Sequence, residues 1–172
     1  MPPAGFSAAT VLDQVRAGAA LQSIADAHSM DEIAAAVGDA LTGLRLGVSS
    51  LDEAALHRVA GLELWSIAEI AGHVLRMDET AHAIARSLAL GQRPVVSVPY
   101  GETGPADATR DDLLARIHAA EARVAATRVL AAGGPTFAHA ELGELSARGW
   151  VLFIGLHAAA HLHQAAAVVR AR

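Results

Sequence analysis

The stretch Trp150-Val-Leu-Phe-Ile-Gly-Leu-His157-Ala-Ala-Ala-His161-Leu-His163-Gln164-Ala-Ala-Ala-Val168-Val169 decides how this chain reads. Trp150, Phe153, Ile154, Ala160 and Val168 recur at helical spacing and predict a helix with one buried face. At about 100° per residue, His157, His161 and Gln164 fall within roughly 60° of one another on that face. An imidazole buried without a partner is costly, so these side chains must meet a hydrogen bond, a metal or water inside the fold. His163 lies about 200° round the helix from His161 and shares no site with it. His157 and His161 stand one turn apart, about 6 Å along the axis, which lets two imidazoles converge on one cation. Nine histidines in 172 residues also produce such pairs without a metal. Ligand pair and core histidines satisfied by neighbours therefore both stand at this point, and a third ligand would decide between them. A zinc-protease helix is excluded, because three alanines separate the pair and the general-base Glu of His-Glu-x-x-His is missing.

The rest of the composition sets bounds around that helix. A chain of this length is most simply one domain with a core of its own. Residues of hydrophobic type make up 53% and aromatics only 3%, so the core is built from Ala, Leu, Val and Ile, a mixture that favours helix. The net charge of −5 with scattered Lys and Arg argues against nucleic acid as a partner. Cysteine is absent, which removes disulfides, Cys-ligated zinc and a thiol nucleophile of the protein's own. Any thiol chemistry must bring its thiol in. Asp13 and Arg16 interrupt the N-terminal segment early and no basic region precedes an apolar run, so no signal peptide is expected. No unbroken apolar run approaches the roughly 18 residues of a membrane span. A cytoplasmic, soluble protein without membrane contact is the expectation.

Taken in order, residues 1–28 read as an N-terminal extension. Pro2, Pro3 and Gly5 make a loose start, and one short amphipathic helix follows between Ser7 and Ala27, packing on the outside of the core or taking part in an oligomer contact. Residues 29–172 read as the main domain. Ser29 and Glu32 form a capping box ahead of Ile33, Val37, Leu41, Leu44 and Val48. Ser50 and Glu53 repeat the pattern over a short segment ending before Gly61. Ser66 and Glu69 cap the clearest helix, with Trp65 and Ile70 placed as a hydrophobic staple and a buried stripe of Ile67, Ile70, Val74, Met77, Ala81, Ile84 and Leu88. His73 flanks that stripe, as a boundary histidine or as a ligand, whereas His82 points well away from it. The Pro- and Gly-rich connection Gly91 to Asp107 either covers a site or simply crosses between helices. Thr109 and Asp112 start a helix bearing Leu113, Ile117, Ala120 and Val124, which ends at Gly133-Gly134-Pro135. Phe137 to Leu145 reads as a linker, and the last helix runs from about Ser146 to Val169. Four capped helical segments and no sustained strand alternation give an all-α bundle.

Placed in this order, two motifs resemble the DinB/YfiT-like superfamily of helical bundles. Leu64-Trp65-Ser66-Ile67-Ala68-Glu69-Ile70-Ala71-Gly72-His73 is similar to the family's Trp-Ser-x-x-Glu-x-x-x-His, and His157-x-x-x-His161-x-x-Gln164 is similar to its closing His-x-x-x-His-x-x-Gln. His139-Ala-Glu-Leu-Gly143, followed by Leu145 and Trp150, resembles the approach to the last helix. Leu162 and His163 depart from the family, which commonly has a basic residue and Gly there. The resemblance covers roughly residues 29 to 170. It implies a four-helix bundle, here with an additional N-terminal helix, in which His73, His157 and His161 hold one divalent metal. It also implies kinship with thiol-dependent enzymes that use mycothiol, bacillithiol or glutathione.

Three neutral imidazoles leave positions open on a divalent ion, zinc or nickel before iron or manganese, as in a catalytic site. Such an ion lowers the pKa of bound water or thiol and fits a chain without cysteine. Gln164 either orients a ligand or a histidine through a hydrogen bond from behind it or is a polar residue of the bundle core. Glu69 is accounted for by its cap. A carboxylate-bridged di-iron centre is excluded, since neither metal helix carries Glu-x-x-His. Two functions follow: a metal-dependent small-molecule enzyme, of which a thiol S-transferase is one form, or a non-catalytic metal- or partner-binding bundle with a vestigial site. A homodimer is expected from the family and from the small apolar face of the N-terminal segment. Metal binding is expected to weaken below pH about 6.5, where free imidazoles take protons.

Overall fold

The computed structural model describes residues 5–59, 65–130 and 134–170. Leu64 of the first motif and the breaks expected at Gly61 and Gly133 lie outside them. The described chain is all-α apart from one small hairpin: α1 (Ala8–Arg16), α2 (Leu21–Asp26), α3 (Met30–Ser49), α4 (Glu53–Leu56), α5 (Ile67–Ala89), α6 (Arg110–Thr127), β1 (Phe137–His139), β2 (Gly143–Leu145) and α7 (Ala147–Arg170).

Local chemistry starts these helices. Ser29, Ser66 and Thr109 each accept the N–H of the residue three further on, and Glu32, Glu69 and Asp112 reach back to the cap N–H. Each box therefore satisfies two orphan donors, as its sequence spacing requires. For the short α4 the cap is Asp52, which accepts from the Ala55 N–H at 2.7 Å; the box read at Ser50 does not form it.

The N-terminal extension holds two helices where one was expected, and Gly18 is the reason. It adopts φ 97°, its N–H donates to the Val15 carbonyl at 2.9 Å, and the Ala19 N–H donates to the Gln14 carbonyl at 3.0 Å. That pair of bonds is a Schellman stop, whose left-handed residue only glycine adopts cheaply.

α3, α5, α6 and α7 form the bundle. Going round it, α7 packs on α3 and α5, and α6 packs on the same two helices from the opposite side. The apolar stripes read from the sequence meet in the middle: Ile33, Val37 and Leu41, then Val74, Ile84 and Leu88, then Leu113 and Ile117, are at most 1% exposed. Between α5 and α6, buried Asp78 accepts from Arg123 Nε at 3.0 Å and Nη2 at 2.6 Å. His82 Nδ1 stands 3.1 Å from the same carboxylate. His82 is thus 6% exposed and faces α6, not well away from the core, because a partner helix covers the flank of α5 where it sits.

Both N-terminal helices pack on α7. Val11 and Leu12 of α1 and Leu21 and Ile24 of α2 are buried in the common core, so the apolar face offered as a reason for dimerisation is covered within the chain. Ser146 caps α7, its Oγ accepting the Gly149 N–H at 3.3 Å, and Gln22 of α2 supplies the reciprocal half that no residue of α7 does: its Oε1 accepts the Ser146 N–H at 2.8 Å and its Nε2 donates to Ser146 Oγ at 3.0 Å.

The segment read as a linker contains the hairpin. β1 and β2 pair antiparallel, with Phe137 opposite Leu145 and His139 opposite Gly143. Strands of three residues are too short for alternation to be legible. Trp150 fastens them to α7, its indole N–H donating to the Phe137 carbonyl at 3.1 Å. By length and mean hydropathy, 1.4 over 18 residues, α7 would pass for a membrane span. In this fold 44% of that window is buried, the buried residues of α7 running from Ala147 to Ala159.

A candidate three-histidine metal centre

α7 presents His157 and His161 one turn apart, and α5 presents His73 opposite them. The Nε2 atom of His157 lies 3.1 Å from Nε2 of His73 and 3.2 Å from Nε2 of His161. One ring nitrogen from each of the three falls within 4.8 Å of the others. The third nitrogen that the pair on α7 needed is therefore brought to it from 84 residues away.

The far side of two rings determines what faces inward. His73 Nδ1 is 2.6 Å from the backbone carbonyl of Glu102, an acceptor only, so this nitrogen carries the hydrogen and donates. His161 Nδ1 likewise donates to Gln164 Oε1 at 2.8 Å. In the neutral rings both Nε2 atoms then present lone pairs. His157 can supply at most one hydrogen between them, so at least one of the two short N···N contacts has no proton to bridge it. A lone-pair set of this kind suits a cation. Bonds of about 2.0–2.1 Å to one ion place two nitrogens about 2.9 Å apart at right angles and about 3.3 Å apart at the tetrahedral angle, and the two separations from His157 Nε2, 3.1 and 3.2 Å, lie between these. The three residues could hold a divalent metal, and the Glu102 carbonyl and Gln164 hold the rings of His73 and His161 from behind, as outer partners of metal histidines do.

The long connection after α5 is part of this arrangement, which decides between its two readings in favour of cover. Besides the Glu102 carbonyl it supplies Arg76 with a partner, Glu102 Oε2, at 2.8 Å, and Gly104 N–H donates to the Glu69 carbonyl at 3.0 Å. Trp65, read as a staple, lies against the histidines. Its ring centroid is 5.0 Å from that of His73, edge to face, and 6.2 Å from that of His161, nearly parallel. His163 is exposed, and His118 likewise.

Beside the cluster opens a cavity of about 330 Å³. His73 and His157 form one side of it. Leu12 and Val15 of α1, Met77, Phe153 and Leu156 give it apolar walls, and Tyr100, His139 and Glu141 line the remainder. Sequence reasoning missed these contributors for definable reasons. A backbone carbonyl has no residue type, Leu12 and Val15 look like any helix stripe, and His139 stood in a segment read as linker.

Burial keeps the cluster neutral. It pulls His157 down to about 2, with the charges His161, His73 and His139 would carry adding to the effect. His73 and His161 are lowered by burial too, opposed by their bonds to Glu102 and Gln164. The expected onset of proton competition near pH 6.5 belongs to free imidazoles; in the folded chain it moves to lower pH. The cost appears as stability. Below about pH 6.5 the unfolded chain binds protons that the folded chain refuses, so unfolding becomes easier as pH falls. Each histidine still neutral contributes a slope of at most about 1.4 kcal/mol per pH unit. Denaturant unfolding of the metal-free protein at pH 7 and pH 5 is expected to show this loss, and His157→Phe to reduce it; a flat profile would contradict the burial argument.

A family model described as the DinB superfamily matches residues 35–165, well over half of the chain. It runs from within α3 into α7 and leaves α1 and α2 outside. No curated protein and no solved structure matches the chain.

Proposed function

The chain belongs to the DinB superfamily, and from that premise we propose that it is a metal-dependent small-molecule enzyme, a thiol S-transferase in its most specific form. The observation that carries the reading is the convergence of three Nε2 atoms, two of them held as lone pairs by hydrogen bonds behind the rings. His73, His157 and His161 would hold the ion, zinc or nickel before iron or manganese. When bound, such an ion acts as a Lewis acid that brings water or a thiol to its deprotonated form near neutral pH.

The chain's own residues do the rest. The Glu102 carbonyl and Gln164 fix which ring nitrogen of His73 and His161 faces inward. Leu12, Val15, Met77, Phe153 and Leu156 exclude water from one side of the cluster and receive the apolar part of a substrate. With no cysteine in the chain, a sulfur nucleophile has to arrive as a low-molecular-weight thiol such as mycothiol, bacillithiol or glutathione. A cytoplasmic homodimer completes the proposal, supported by the family alone.

Native purification followed by metal analysis, sedimentation and a thiol-conjugation screen tests it. One equivalent of divalent metal per chain and conjugation that stops on chelation are expected. A chain that takes up neither zinc nor nickel would remove the metal reading. Stoichiometric metal without any conjugation would leave a non-catalytic metal-binding bundle, and a monomer at micromolar concentration would remove the dimer.

A further inference from the structure

Two accessible side chains from separate elements meet at the cavity beside the histidines. Tyr100, from the long connection after α5, is 43% exposed, and its hydroxyl oxygen accepts the Ala140 N–H at 3.3 Å. That bond sets the phenol against the turn between β1 and β2, whose next residue is Glu141. Tyr100 and Glu141 both line the cavity. Glu141 is exposed, so a ligand can reach its carboxylate, and no ion pair among the described residues occupies it. Its charge is felt inside: burial holds the cavity-lining ring of His139 below the usual imidazole range, and the Glu141 carboxylate pulls the other way.

The rest of the lining decides what such a pair can hold. Among the described residues no Lys or Arg lines the cavity, so an anionic ligand would meet Glu141 with no basic side chain in return. An ionised carboxylate only accepts hydrogen bonds, and an aromatic ring beside it adds cation–π attraction. Both properties select a cationic donor. Leu12, Val15, Met77 and Phe153 give the same cavity apolar walls, which select a hydrocarbon body. We propose that Tyr100 and Glu141 form a binding site for a protonated amine, and that the molecule filling this cavity is an arylalkyl or alkyl ammonium. Burial of its hydrocarbon part supplies affinity, and the one charged group sets its orientation. The inference rests on the functional reading above only for the chemistry at the histidine side of the cavity; recognition of the ammonium requires no metal.

The test titrates 2-phenylethylamine, 2-phenylethanol and 3-phenylpropionate into the full chain with ring-15N histidine, at neutral pH and without metal, so that no probe can coordinate an ion. The three share a phenyl ring and differ in the charge at the other end. The amine is expected to bind about tenfold more tightly than the alcohol, the combined size of an exposed ion pair and an exposed cation–π contact, and the acid more weakly than either. The amine should shift the ring signals of His139 and His157, which places it in the cavity. Glu141→Gln and Tyr100→Leu are each expected to lower the preference for amine over alcohol to about threefold. An acid that binds as tightly as the amine, a preference unchanged in either variant, or an amine that fails to bind or leaves those ring signals unmoved would each overturn the proposal. The order of the three probes is read on the unmodified chain, so a variant that misfolds does not shield it. A separate zinc titration keeps the two readings apart: a chain that takes up no zinc loses the metal reading and keeps the amine result, and a chain that takes up zinc but shows no preference for the amine loses this proposal alone.

Discussion

Alanine at His73, His157 or His161 is expected to weaken zinc and nickel binding by more than about 100-fold in calorimetric titration. Loss of an outer partner of a metal histidine costs about 10–100-fold, and removing a ligand takes away a bond as well as its orientation. His157 stands at the centre of the cluster, within 3.2 Å of both other Nε2 atoms, so its loss leaves two rings on different helices with nothing between them. His163→Ala is expected to bind as the parent does, because that ring is exposed on the other side of α7. Wild-type affinity in His73→Ala, or metal loss in His163→Ala, would show that the cluster is not the binding site. The apoprotein of each variant should remain folded. Removing one of the three imidazoles leaves fewer short N···N contacts in the apoprotein, and it takes away a buried group that resists protonation.

Gly104→Ala is expected to destabilise the protein by about 3 kcal/mol, at the upper end of ordinary overpacking, and to weaken zinc binding by about tenfold. A methyl at this position would meet Gly72 Cα at 2.5 Å and the Glu69 carbonyl oxygen at 2.6 Å, both backbone atoms of α5 that cannot turn aside. The loop would have to lift away from the helix. Two residues earlier on that loop, the Glu102 carbonyl holds the Nδ1–H of His73, so the displacement would reach the three-histidine cluster without touching any of its side chains. Gly47→Ala is the control. It lies within α3 with open space around its added methyl, and exchange of a helical glycine for alanine stabilises by about 0.5–1 kcal/mol. Denaturant unfolding of both variants, with zinc titration of each, checks the pair. Equal stability of Gly104→Ala and the parent would show that the loop is not clamped to α5.

The four bundle helices were legible because their signals are local. Ser29, Ser66 and Thr109 act on residues three positions away, and a stripe at helical spacing needs only its own helix to exist. His157, His161 and Gln164 were legible as one face for the same reason. Where local signals were weak or overlooked, the reading failed. A single glycine, Gly18, divided one expected helix into two. Three-residue strands passed as linker. By its angle on α5 His82 points well away from the apolar stripe, yet the face it occupies is covered by α6 through Asp78 and Arg123.

By itself the sequence determined the all-α class, the caps, the absence of a protein thiol and the one-turn spacing of His157 and His161, all consequences of covalent order and helical pitch. Its motifs also pointed to His73, though only by resemblance. Only the tertiary structure decided that His157 Nε2 lies within 3.2 Å of the Nε2 atoms of both His73 and His161 and that a loop carbonyl and Gln164 fix which nitrogen of those two rings faces inward. It alone decided that α1 walls a cavity beside them in which the ring of His139 stands. These are contacts between groups distant in the chain, several of them backbone atoms whose chemistry is the same at every residue. Their positions follow from how helices pack, which residue order expresses only through the folded whole.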